Sequence, residues 1–149
     1  MDEVTIRRAS PHDAERLTGL CHASGAYRGI YAAAIRQVRL TPGYITQHLV
    51  FMATDQEDHL LAFYSLIRDP PELDMMFVAD DVQGQGLGRL LLAHMSEQAR
   101  AAGLTGVRVV SHPPAEGFYR RAGAQRTGTV PANPPKTTWD RPELWLPTS

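Results

Sequence analysis

Asp80-Asp81-Val82-Gln83-Gly84-Gln85-Gly86-Leu87-Gly88 is the stretch that decides how this chain folds. Before it lies Leu73 to Ala79, apolar except for Asp74, which predicts a largely buried strand. After it, Leu87, Leu91, Met95 and Ala99 or Ala102 form one stripe, and Gly103 stands where a helix over about 87–102 would close. Glycines between a strand and a helix start let the backbone turn tightly and present bare N–H groups. The helix terminus adds partial positive charge, so the segment predicts an anion site, most naturally for a pyrophosphate. Two familiar versions fail on spacing. The dinucleotide fingerprint needs glycine at 89, where Arg89 stands, and the phosphate loop needs Gly-Lys, whereas Lys136 is the sole lysine. The glycines alone also fit a turn that merely packs a strand closely on a helix.

Outward from this loop the chain alternates regular elements. Toward the N-terminus, Val4 to Arg8 reads as a first strand, and Ser10-Pro11 starts a helix to about His22 with Ala14, Leu17 and Cys21 inward. Residues 27–40 read as a second helical stretch with Ile30, Ala34 and Val38 on one face, and Thr41-Pro42 caps a short helix to His48. Leu49–Thr54 and Leu60–Ile67 form a hairpin across a polar turn. Toward the C-terminus, Val107 to Val110 is a fifth strand and Pro113-Pro114 opens a short helix to Arg121. Ala124–Val130 and Glu143–Leu146 are further strands. The order β-α-α-β-β-β-α-β-α-β-β is that of an α/β (α+β) domain.

The chain has 149 residues, which predicts one domain over 1–149, and 15 basic against 16 acidic residues, which excludes a globally basic nucleic-acid binder. A single cysteine, Cys21, forms no internal disulfide and points to the cytoplasm. The expectation for Cys21 is a core residue. Six scattered histidines at no ligand spacing predict no metal. Apolar runs as short as Leu90–Ala93 predict no membrane span, and the Met-Asp-Glu start predicts no signal peptide.

Gln83-Gly84-Gln85-Gly86-Leu87-Gly88 resembles the Q/R-x-x-G-x-G/A motif of the GCN5-related N-acetyltransferase family. Glu72–Val78 is similar to that family's fourth strand, and Phe118-Tyr119-Arg120-Arg121-Ala122-Gly123-Ala124, about 30 residues after the loop, to its F-Y-x-x-x-G-F/A segment. The resemblance runs from Val4 to Leu146. It implies a mixed, mostly antiparallel sheet of six to seven strands flanked by about four helices and splayed between strands four and five. It also implies acetyl-CoA as donor and a primary amine of a small molecule or peptide as acceptor, attacking directly in a ternary complex. Gln83, Gly84, Gln85, Gly86, Leu87, Gly88 and Arg89 would hold the pyrophosphate, and the pantetheine arm would pair with backbone near Phe77 and Val78. Family members often carry Asn where this chain has His112, which still offers one hydrogen bond to the coenzyme. Dimerisation is common in the family and the sequence leaves it open, including pairing through the Pro-rich 130–149 tail.

Acetyl transfer to an amine needs a base for the ammonium, a donor for the thioester oxygen and a proton for the thiolate. Tyr119, whose phenol ordinarily titrates near ~10, occupies the family's acid position. The backbone N–H of Val78, freed where the fourth strand bulges, would receive the oxyanion. Glu72 and Asp74 lie two apart on one strand face and are both candidate bases, with a water relay as the third option. Acceptor pockets in the family draw on the first helices, here Tyr27, Arg28, Tyr31 and Arg36, and on the last strands, here 127–140. Arg16 to Thr54 carries four arginines and no acid; Asp55 to Asp81 carries eight acids against Arg68. If both blocks faced the acceptor cleft, an acceptor with an amine and a carboxylate or phosphate would suit them. A catalytically idle acyl-CoA sensor, or an interaction domain, on the same fold is the alternative.

Overall fold

The near-continuous apolar runs Leu49–Thr54 (β2) and Leu60–Arg68 (β3) pair antiparallel, with Asp55 closing the turn by accepting from the N–H groups of Glu57 and His59. The computed structural model describes residues 3–25, 31–135 and 137–148. Thr5–Arg8 (β1) joins the free edge of β2, and Pro71–Val78 (β4) pairs antiparallel with β3. Gly106–Val110 (β5) lies parallel to β4, and Arg141–Pro147 (β7) sits between β5 and Gln125–Val130 (β6). The sheet order is β1-β2-β3-β4-β5-β7-β6. The last strand is thus an inner strand, hydrogen-bonded on both sides, and not a loose tail.

Two apolar layers cover the sheet. On one face Leu91, Met95 and Ala99 of α4 (Leu87–Ala101) and Tyr119 of α5 (Glu116–Arg121) pack on Tyr64, Leu66, Leu73, Val107 and Leu144. On the other, Leu17 and Cys21 of α1 (Ala14–His22), Ile35 of α2 (Ala32–Ile35) and Ile45 of α3 (Pro42–Gln47) pack on Val50, Met52, Phe63 and Phe77. Burial pushes the Cys21 thiol up to about 12, as suits a core residue.

Two local expectations are corrected. The helix expected over 27–40 is, among the described residues, a single turn at Ala32–Ile35, and Ile35 and Leu40 point inward where Ala34 and Val38 were expected. The reason is competition by side chains of α1. Thr18 Oγ1 accepts the Leu40 N–H at 3.0 Å, and the His22 ring contacts the Val38 carbonyl at 2.8 Å. Ile30 lies outside the described residues. β4, expected to be largely buried, hides only Leu73 and Phe77, because β5 diverges from it.

Asp13 secures the entry to α1. Its carboxylate accepts from the Ser10 N–H at 2.8 Å and hydroxyl at 3.1 Å and pairs with Arg7 at 3.3 Å. Burial pushes its pKa up, but the Ser10 and Arg7 bonds outweigh this and hold it below the ordinary 3.8. A depressed carboxylate stabilises the fold above its ordinary pKa, and that contribution fades as pH falls through the depressed value. Asp13→Ala should therefore cost about 1–2 kcal/mol at pH 7. Urea melts at neutral and acid pH should show the gap to wild type narrowing as the pH drops below 3.8.

Candidate functional site

β4 and β5 share one registered pair, Glu72 with Arg108, and then part. A cleft of about 620 Å³ opens between them, walled by Leu73–Val78, by Val109–His112, by the glycine loop, and by Phe118 and Tyr119 of α5. Ala79 donates its N–H to Leu61 of β3 at 2.8 Å. Peptide groups alternate sides along a strand, so the N–H and C=O of Val78 face the opposite way, toward the cleft. The Val78 carbonyl accepts from Gln83 Nε2 at 2.9 Å, which ties the start of the glycine loop to the end of β4.

Gly84 and Gly86 take φ of 78° and 81°, the left-handed region that glycine enters without penalty, and a Cβ on either would touch nothing within 4 Å. Their demand is conformational, and the space above them is open. Gly88 serves a different purpose. It already lies in the first turn of α4, and a Cβ there would stand 3.0 Å from the Phe118 ring, so it lets α4 and α5 close on each other. Gly84, Gly86, Leu87, Gly88 and Arg89 line the cleft with Gln83, while Gln85 is not in its wall. Asp80 holds the loop from outside by accepting the Gly25 N–H at 2.9 Å.

The ladder between β3 and β4 contains one extra residue. Ser65 pairs with Met75 but Leu66 pairs with Leu73, which leaves Asp74 as the bulge. The strand therefore bulges at Asp74 and not at Val78, because a carboxylate in an apolar run is ejected from the packed face. Asp74 accepts a short hydrogen bond from the Tyr44 hydroxyl, which also contacts Ser65 Oγ at 2.8 Å. Burial and the Asp74 charge push the Tyr44 phenol upward, so it stays protonated and donates. Glu72, on the same face, pairs with Arg108 at 3.3 Å, and Arg108 also grips Glu143 of β7. Burial and the charge of Asp74 push the Glu72 carboxyl up, and Arg108 opposes them.

A second cleft of about 460 Å³ lies on the α2 side, and its wall shares Asp74, Met75, Phe77, Val110 and His112 with the first. Of the sequence candidates, Val78 and Tyr119 border the first cleft, and Asp74, Phe77 and His112 border both; Glu72 is in neither wall. Tyr31 packs edge-on against His112 and Trp139, each at 4.6 Å. Tyr27 and Arg28 lie outside the described residues. The described arginines of the basic block are engaged elsewhere: Arg16 with Asp58, Arg36 with the Ala32 carbonyl, Arg39 with His22. Sequence reasoning missed Tyr44 and Arg141, for neither of which does a local motif exist; Trp139 falls in the 127–140 segment expected beside the acceptor.

Residues 33–131 match the family model of the GNAT acetyltransferase domain. The chain belongs to that family. As a member it is an N-acetyltransferase. Among curated proteins it is 26% identical over 130 residues to the peptidyl-lysine N-acetyltransferase YjaB of Salmonella typhimurium, covering 84% of this chain and 86% of that protein. The Escherichia coli YjaB is also 26% identical, over 128 residues and 84% of each chain. The fold matches a GCN5-related N-acetyltransferase of Rhodopseudomonas palustris with a TM-score of 0.82 at 21% identity, covering 99% of this chain and 97% of that one. It also matches yncA of Salmonella typhimurium, solved with its cofactor acetyl-CoA, with a TM-score of 0.74 at 17% identity over 99% and 95%.

Removing Arg108 would leave Glu72 and Glu143 half-buried without the cation between them. Arg108→Ala should destabilise by about 1–3 kcal/mol at pH 7, between the values for exposed and buried pairs. The penalty requires both carboxylates to be ionised, so it should shrink toward pH 4. Thermal melts of wild type and variant across that range measure it.

Proposed function

We propose that this chain transfers an acetyl group from acetyl-CoA to a primary amine, by direct attack while donor and acceptor are bound together. The observation that carries this reading is the wall common to the two clefts. One cleft ends at a glycine loop and helix N-terminus suited to a pyrophosphate, the other opens on the opposite side, and Asp74 borders both. The residues fit the donor. Gly84, Gly86, Leu87 and Gly88, with Arg89, supply backbone N–H groups and positive charge for its phosphates. The edge of β4 facing the cleft supplies peptide groups for an extended arm.

Asp74 is the proposed general base. It is exposed, reachable from both clefts and oriented by Tyr44. Glu72, bound to Arg108 away from both walls, has a structural part. The Val78 N–H, directed into the cleft, is the proposed donor to the oxygen that gains negative charge. Tyr119, 8% exposed and lining the first cleft, is the proposed acid for the departing thiolate. His112 borders both clefts where donor and acceptor would meet.

Asp74→Asn should lower kcat/KM about 100-fold and remove the acidic limb of its pH profile, whereas Glu72→Gln should keep that limb. Tyr119→Phe should lower kcat about 10–100-fold with acetyl-CoA affinity retained. Thiol release with a panel of amines measures both. Tight acetyl-CoA binding by calorimetry without turnover of any amine would select the idle sensor instead.

A further inference from the structure

If the chain is the N-acetyltransferase proposed above, the lining of the second cleft bears on the identity of the acceptor. Its volume of about 460 Å³ suits a small molecule. Its wall is charged with opposite sign at two places: Asp74 on β4 and Arg141 at the start of β7, with His112, Thr137 and Trp139 also in the lining. Arg108, a guanidinium of β5 on the same face of the sheet, is occupied by Glu72 and Glu143. Arg141 makes no ion pair with either carboxylate, although its charge joins that of Arg108 in holding the Glu72 carboxyl down. Its Nε is buried and makes no hydrogen bond, and among the described residues no carboxylate lies within ion-pair distance of it. Trp139 Nε1 is likewise buried and without an acceptor.

Two buried N–H donors in one cleft wall, one of them on a cation, call for an anion. A guanidinium presents its donors as a fork that matches the two oxygens of a carboxylate, and a carboxylate is acceptor-only. The other side of the cleft has the reverse character. Asp74 attracts an ammonium to the wall shared with the donor cleft, which is where the acceptor nitrogen must arrive.

We propose that the acceptor is a small amino acid-type molecule whose amine lies at Asp74 and whose carboxylate is held by Arg141, assisted by Trp139. This inference rests on the N-acetyltransferase reading. The charge pair that selects the acceptor comes from β4 and β7: Asp74 belongs to the acidic block of the sequence, but its partner Arg141 lies outside the basic one. Arg141 acts on specificity and binds away from the reacting atoms.

The test uses the whole chain with acetyl-CoA and matched pairs differing only in the carboxylate: lysine and cadaverine, histidine and histamine, tryptophan and tryptamine. Nα-acetyl-lysine amide stands for a lysine within a peptide. In at least one pair the amino acid should be favoured about 10–100-fold in kcat/KM, the range expected for a charge-assisted pair. Arg141→Gln should collapse that ratio through KM, Arg141→Lys should retain part of it, and calorimetry should find acetyl-CoA affinity near wild type in both. Equal rates within every pair, a preference for Nα-acetyl-lysine amide, or a ratio that persists in Arg141→Gln overturns the proposal while the acetyltransferase reading stands. Failure of the wild type to bind acetyl-CoA or release thiol overturns both.

Discussion

One residue too many in β4 is the constraint on which the site depends. Without the bulge, Leu73 and Phe77, four apart, would face the same side of the sheet. With Asp74 inserted between paired Leu73 and Met75, Leu73 packs under α4 and Phe77 packs under α1–α3. The same insertion turns the Asp74 carboxylate out of the core into the wall between the two clefts. β4 thus anchors both apolar layers and presents a charged group between them, which an unbroken strand does not do.

The opening beside β4 needs a counterweight, because parallel strands that part lose their ladder hydrogen bonds. Here the strands stay joined at Glu72–Arg108, and the Arg108 guanidinium clamps β4 to β7 through Glu72 and Glu143 across β5. Beyond that clamp the peptide groups of β4 face the gap. Gln83 and Asp80 then fix the glycine loop at the far end, one to the Val78 carbonyl and the other to the Gly25 N–H. Two polar attachments and one ion-pair array hold an open cleft in a short chain.

The glycine loop was legible because its chemistry is local. Positive φ at Gly84 and Gly86 and a helix starting at Leu87 follow from neighbours in sequence. So was the stripe Leu87, Leu91, Met95, Ala99, since a helix repeats within its own length. Gly88 was read as part of an anion cradle or of a turn packing a strand on a helix, and its contact with Phe118 of a second helix came from an element 30 residues away. The expected long helix before Thr41 failed for a related reason: Thr18 and His22 on α1 capture backbone groups of Val38 and Leu40, and no propensity in 27–40 encodes that capture.

By itself the sequence determined the order of elements, the glycine loop between β4 and α4, the aromatic pair Phe118-Tyr119 and the two carboxylates Glu72 and Asp74 as candidates. Periodicity and turn chemistry act over a few residues, so they survive in one dimension. Only the tertiary structure separated the two carboxylates, giving Glu72 to Arg108 and Asp74 to Tyr44 and the clefts. It alone brought Arg141 and Trp139, from a strand inserted between β5 and β6 and the loop before it, to the cavity that Asp74 borders. Charges meet by register and strand order, and these are decided by which apolar faces pack together, a property of the whole sheet.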